Sequence, residues 1–508
     1  MALGRAHAVA LLGIEGAIVE IEADVSSQLP GFVLIGLPDA ALGEARDRVR
    51  SAAQNSGTPL PPRKLTVNLS PASLPKHGSG FDLGIALAAL AAEELVRAES
   101  VARVVHLGEL GLDGRLRPVR GVLPATLAAV RAGFRTILVP AGNAAEARLV
   151  PGVEVVGVAS LREAAIWHGA ELEPEEVEPL PPAVAPGERP DEDGLDLADV
   201  VGNRDAIEAL QVAAAGGHHV FLLGPPGAGK TMLASRLPGL LPDLERDAAL
   251  ALASVRSLSG SAVGSALSLR PPFEAPHHTA SAAAIVGGGS GIVRPGAASR
   301  ATEGVLFLDE APEFSAVALD ALRQPLESGV VRIARASTTA EFPARFQLVL
   351  AANPCPCGYA GVRDSACTCS AFTRRRYLSR ISGPLLDRVD IQLTVPRVTA
   401  ARLGGDGTTT AEARARVEAA RARAAERLRG TPWRLNSEVP GSWLRSAAGA
   451  PERGATNALD RALERGTITM RGYDRVIRVA WSLADLEGAA RPDADHVGRA
   501  LLLRKAAS

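Results

Sequence analysis

Lysine is nearly missing from this 508-residue chain: Lys64, Lys76, Lys230 and Lys505 are the only ones, so arginine supplies 51 of the 55 basic residues. A skew of that size reads as coding bias, which makes each arginine uninformative and each retained lysine worth inspection. Net charge is nearly absent as well. At a formal -1 it points to neither a polyanion nor a membrane surface. The longest clean apolar run, "LGIALAALAA" (Leu83 to Ala92), falls far short of the ~20 residues that span a bilayer. Glu15 and Glu20 break the apolar N-terminal stretch, and no small-residue cleavage pattern follows, so a cytoplasmic protein without a membrane partner is expected.

Cysteine is scarce and gathered. All 4 cysteines, Cys355, Cys357, Cys367 and Cys369, fall in "NPCPCGYAGVRDSACTCS". In a reducing compartment such clustering suggests metal more than disulfide. Four thiolates can close a tetrahedral Zn²⁺ site and stiffen a loop too short for its own core. Cys-x-Cys is tighter than the usual Cys-x2-Cys, which leaves an iron–sulfur cluster or plain reduced thiols as alternatives.

With 47% hydrophobic residues the chain can build two or three cores. A Pro- and acid-rich stretch over 171–194 should be extended and coreless, and a second boundary lies where a strand-like segment gives way to Gly and Thr near residue 399. The regions are then 1–170, 195–398 and 399–508. The last opens with "AEARARVEAARARAAERLRG", a strong helix former whose six arginines against three glutamates read as a solvated face.

The middle region carries the chemistry. "HHVFLLGPPGAGKTMLASRL" is a strand, a loop and a helix, the context that a phosphate loop requires. Gly224, Pro225, Pro226, Gly227, Ala228 and Gly229 would wrap phosphates with backbone N–H groups, Lys230 would reach the β/γ-phosphates and Thr231 would ligate Mg²⁺. In "GVLFLDEAPEF" a strand ends at Asp309 and Glu310, one carboxylate for Mg²⁺ and one to orient water. "FQLVLAAN" is another strand, whose terminal Asn353 could bond the γ-phosphate or the attacking water. His277 and His278, with no Cys near them and no carboxylate nearer than Glu274, read as loop packing.

The blocks "GPPGAGKT", "PPFEAPHHTASAAAIVGGG", "PGAASRATEGVLFLDEAPEF", "LAANPCPCGYAG" and "SRISGPLLDRVD" together resemble the magnesium-chelatase type of AAA+ ATPase. More closely they resemble the bacterial family that includes ComM and YifB, and the match spans essentially the whole chain. The resemblance implies an α/β fold with a P-loop AAA+ core and a C-terminal helical lid, preceded by an α+β domain like that of Lon proteases. It implies ATP with Mg²⁺, Asn353 as first sensor, Arg388 as an arginine finger acting on the neighbouring subunit, and Arg471 as second sensor, with Arg475 and Arg478 as rivals. A finger in trans implies a homo-oligomeric ring, expected to be a hexamer. The function implied is a DNA motor, a branch-migration helicase in recombination or natural transformation. A chelatase subunit and a protein-remodelling ATPase are the alternatives. Cationic hairpin residues Arg332 and Arg335 are the candidates for gripping single-stranded or branched DNA, against a reading in which both pair with surface acids. In the Lon-like region the family serine falls at Gly80 and the family lysine at Arg135, and an arginine cannot act as the base. Neither Ser79 nor Lys76 is placed to substitute, so no peptidase activity is expected.

Overall fold

The computed structural model describes residues 3–36, 44–181, 194–289, 293–334, 339–361, 367–397 and 407–504. Two sheets organise the chain. The first is built from β1 (Gly4–Leu12), β2 (Glu15–Ser26), β3 (Gly31–Ile35), β4 (Lys64–Ser70), β5 (Val105–His106), β8 (Thr136–Pro140) and β9 (Glu154–Val158), in the order β3-β4-β2-β1-β5-β8-β9. A short separate hairpin joins β6 (Glu109–Leu110) to β7 (Leu116–Arg117). β2 is antiparallel to both of its neighbours, whereas β5, β8 and β9 run parallel. The apolar run noted above becomes the helix Asp82–Ala92, every residue of which is buried. Being apolar all round, it belongs inside a core. Its one charge, Asp82, is pushed up to about 6 by burial in spite of a 2.7 Å bond from Arg48.

The second sheet takes the order β11 (Phe273–Glu274), β14 (Val305–Leu308), β17 (Gln347–Ala352), β10 (Val220–Leu223), β18 (Ile391–Thr394), all parallel. Both faces are covered, so β10, β14 and β17 are buried throughout, which is why they read as unbroken apolar runs and not as alternating ones. Two small hairpins flank this sheet: β12 (Gly287–Gly288) with β13 (Arg294–Pro295), and β15 (Val330–Ala334) with β16 (Thr339–Pro343). The architecture is the expected α/β one, with a parallel P-loop-type core and helices at the C-terminal end.

The C-terminal helices Thr410–Arg427, Met470–Glu487 and Ala494–Leu502 share one apolar core with the strands and with the helix Arg204–Gly216. Here the solvated-face reading of the arginine-rich segment is corrected in part, since Arg416 and Arg429 stay exposed but other arginines are engaged. Arg421 donates to the Ala214 carbonyl, Arg423 to the Asp485 carbonyl, and Arg427 to Asp485 and Asn436 while lying 4.0 Å over the Trp481 ring. The small alanines between them let the helix approach closely enough for long arginines to bond across the seam.

The first region meets the ATPase core through the β1–β2 turn. Leu11 and Ile14 pack with Leu258, Ala340, Phe342 and Ile333, so the β15–β16 hairpin rests on the first sheet. Gly13 sits at the contact with φ 67, and a Cβ there would lie 2.3 Å from the Glu341 carbonyl oxygen. Gly13→Val combines left-handed strain with that overlap and is expected to cost about 2 kcal/mol or more. A melting temperature equal to wild type would contradict the packing.

Candidate active site

The parallel register brings three strand ends to one edge. Leu223 is opposite Ala352, and Leu308 is opposite Leu350, so the loop after β10, Asp309 after β14 and Asn353 after β17 converge, as ligand sites do in open parallel sheets. The helix Lys230–Leu240 begins directly at the lysine. Gly227 and Gly229, at φ 74 and 88, adopt the left-handed backbone that glycine takes without strain.

Lys230 is buried and donates to the Gly224 carbonyl at 2.8 Å, the Pro225 carbonyl at 3.1 Å and Asn353 Oδ1 at 3.0 Å. Desolvation lowers its pKa, while Asp309 and Glu310 oppose the shift. The ammonium is thus held by the groups that a phosphate would displace. The Thr231 hydroxyl donates to Asp309 Oδ2 at 2.8 Å, which puts two oxygen ligands side by side where a hard cation such as Mg²⁺ would bind. Glu310 adopts left-handed backbone at φ 51, unusual for a non-glycine residue and typical of a functional position.

Beside them opens a cavity of about 400 Å³ lined by Thr231, Asp309, Glu310, Phe273, His277 and His278. The loop-packing reading holds for His277, whose Nδ1 lies 2.9 Å from Thr279 Oγ1, and gives way for His278, whose Nδ1 lies 3.5 Å from Glu310 Oε2; the two ring centroids are 4.1 Å apart with planes tilted by 34°. Glu310 comes from the end of β14, the strand beside β11.

Arg388 is elsewhere. Its guanidinium bonds Glu327 and the Pro384 carbonyl, and neither partner belongs to the phosphate loop. Burial lowers its pKa, helped by the charges of Arg323, Arg475 and Arg471. Arg471 is exposed at the start of the helix Met470–Glu487, whereas its rivals are engaged, Arg475 with Asp390 and Arg478 with the Val439 carbonyl at 2.7 Å. Arg332 is exposed and donates to Glu341 across its hairpin at 2.7 Å; Arg335 lies outside the described residues. In the first region Lys76 is fully buried against the Leu69 and Pro71 carbonyls, and Ser79 donates to Glu109.

The four cysteines converge. Their Sγ atoms all lie within 4.8 Å of one another, with Cys355–Cys357 at 3.3 Å, Cys357–Cys367 at 3.5 Å and Cys355–Cys367 at 3.8 Å. Zn–S bonds of ~2.3 Å in a tetrahedron require sulfurs about 3.8 Å apart, so the donor set and its spacing fit such an ion. Arg374 donates to the Cys369 carbonyl at 3.1 Å and approaches Cys367 Sγ at 3.8 Å.

Comparison with known proteins agrees with this geometry. Residues 196–403 match the family model "Magnesium chelatase, subunit ChlI", residues 21–143 match "Subunit ChlI of Mg-chelatase" and residues 407–504 match its C-terminal model. The competence protein ComM of Haemophilus influenzae is 41% identical over 508 residues, covering 99% of this chain and 97% of that one. The chain belongs to the magnesium-chelatase-like AAA+ ATPases of the ComM and YifB kind. It is an ATP-hydrolysing enzyme. Uncharacterized proteins of Mycobacterium tuberculosis, 52% identical over 507 residues and covering 99% of both chains, and YifB of Escherichia coli, 39% identical over 507 residues, match equally end to end. Similarity to a Lon protease of Mycolicibacterium smegmatis is partial, 30% identity over 34% of this chain and 23% of that one. Among the described residues no helix is long and apolar enough to cross a membrane.

Because Lys230 forms the inner wall of the phosphate loop, Lys230→Ala is expected to abolish nucleotide binding and hydrolysis while leaving the fold intact. Equilibrium binding of a fluorescent ATP analogue checks it. Unchanged affinity would exclude this loop as the nucleotide site.

Proposed function

We propose that this ATPase works as a closed ring, six subunits in a turn, that moves on single-stranded or branched DNA and migrates junctions. The carrying observation is the separation of Arg388 from the phosphate loop of its own chain. A cation needed at the transition state whose guanidinium, among the described residues, bonds Glu327 and Pro384 is one to be presented to a neighbour's nucleotide. In this reading Lys230, Thr231, Asp309, Glu310 and Asn353 act in cis with ATP and Mg²⁺. Arg388 acts in trans, and Arg471, whose charge is felt by Arg388, lies beside it as second sensor. Lys230→Ala and Arg388→Ala should each be inactive alone. Rings assembled from both should recover part of the ATPase rate, because some interfaces then join an intact loop to an intact finger. Well-assembled mixed rings without activity would argue against the arrangement.

Work on DNA is supported by the name of an end-to-end relative, a competence protein, and by the β15–β16 hairpin, which the first region holds in place and which carries Arg332. Basic hairpin residues follow phosphates without reading bases. Since Arg332 is paired with Glu341, Glu341→Gln should release a cation, tightening DNA binding and steepening its salt dependence, and Arg332→Ala should do the reverse. A salt slope unmoved by either change would remove the hairpin from the DNA path. The family models named for magnesium chelatase favour a second reading, a porphyrin-metallating subunit. ATPase stimulation by forked DNA and not by protoporphyrin separates the two. The first region, with Ser79 bonded to Glu109 and Lys76 to carbonyls, serves as a brace without peptidase activity, and the four cysteines hold one Zn²⁺.

A further inference from the structure

We infer that the metal held by the four cysteines sets the shape of the phosphate loop, so that metal occupancy controls nucleotide affinity. The inference rests on the zinc reading above.

The cysteine segment leaves the sheet at the residue that touches Lys230. Asn353 is followed at once by Cys355 and Cys357, and the Gly358 N–H donates to the Cys355 carbonyl at 2.9 Å, closing a tight turn around the first two sulfurs. At the crest of that turn Gly358 has φ 84, and a Cβ there would sit 2.6 Å from both Cδ and Cγ of Pro226 and 4.0 Å from Cγ of Asn353. The backbone of the cysteine turn therefore lies directly against the second proline of the phosphate loop.

Pro226 is held from another side as well. Its carbonyl accepts from Arg397 at 3.3 Å, and the Arg397 guanidinium lies 5.4 Å from the centre of the Tyr359 ring, the residue next to Gly358. Gly358, Tyr359 and Arg397 thus form a cradle around the residue that precedes the two left-handed glycines. What keeps the cradle in position is the sulfur cluster behind it. Thiols offer only weak hydrogen bonds, and among the described residues of the insertion 355–369 only Cys355 and Gly358 are buried, so no apolar core holds the turn. An ion bound by four thiolates supplies its folding energy to the loop that carries them. Arg374, bonded to Cys369 and close to Cys367, supports the ligands from behind.

The test uses the full-length protein. Metal per chain is measured by mass spectrometry, and the dissociation constant of a fluorescent ATP analogue by titration, for wild type, for wild type stripped by a chelator and reloaded with zinc, for Cys367→Ser and for Gly358→Val. Expected are one zinc per wild-type chain, ~10-fold or more weaker nucleotide binding after stripping or in Cys367→Ser, and recovery on reloading. Gly358→Val should keep its zinc and still bind nucleotide weakly, because the added side chain strains the turn and meets Pro226 while all four sulfur ligands remain. Wild type without zinc would overturn the zinc reading and the inference with it. Zinc present, with stripped protein and Gly358→Val both binding within about twofold of wild type, would overturn the coupling alone. Stripping acts on wild type, so a poorly folded cysteine variant does not decide the outcome.

Discussion

A buried carboxylate, Asp390, holds the ATPase core and its helical lid together. It is 2% exposed, lies between Arg388 and β18, and faces His218 at 3.0 Å and the guanidinium of Arg475. Burial alone would raise its pKa; the His218 hydrogen bond and Arg475 outweigh that and hold the carboxyl well below the usual carboxylate range. From His218 the bonds continue to Ser482 at 2.8 Å, from Ser482 to Asn436 at 3.0 Å, and from Asn436 to Asp485 at 2.9 Å, with Arg427 closing the far end. Every lone pair in such a chain needs its partner, and removing one leaves a buried charge uncompensated at a cost of about 3–5 kcal/mol.

That network fixes more than stability. Arg475 also donates to the Arg388 carbonyl at 3.1 Å, and Arg504 to the Val389 carbonyl at 2.9 Å. The backbone carrying Arg388 is thereby clamped by the C-terminal region, while its side chain, 18% exposed, bonds Glu327. On the other side of the same core, Lys230 and Asn353 join the phosphate loop to β17, and β17 runs straight into the cysteine turn. Under the proposed arrangement the two ends of one parallel sheet serve two nucleotide sites, the loop end the chain's own and the Arg388 end a neighbour's.

Much of this was legible in the sequence because it is local. The phosphate loop needs only a strand, glycines and a helix start, and all are contiguous from Val220 to Leu240. Asp309 and Asn353 were legible because an apolar run ending in a polar residue is what a buried parallel strand looks like. The contacts that depend on register between strands were not. His278 meets Glu310 only because β11 lies beside β14, and Gly358 meets Pro226 only because β17 lies beside β10. Arg421 and Arg427 were misread for a related reason: charge on a helix looks solvated until the carbonyls and carboxylates of another helix are set opposite it. Arg332 bonds Glu341 nine residues on, a pair that alternation alone could not fix before the hairpin register was known.

The account's central claim is that one chain does not contain a complete hydrolytic site. Steady-state ATPase rate per chain, measured across a dilution series with the assembly state followed by light scattering, tests it most directly. The rate per chain should fall towards zero as rings dissociate, because loops lose the arginine of their neighbours. A rate per chain that stays constant down to the monomer would contradict the claim.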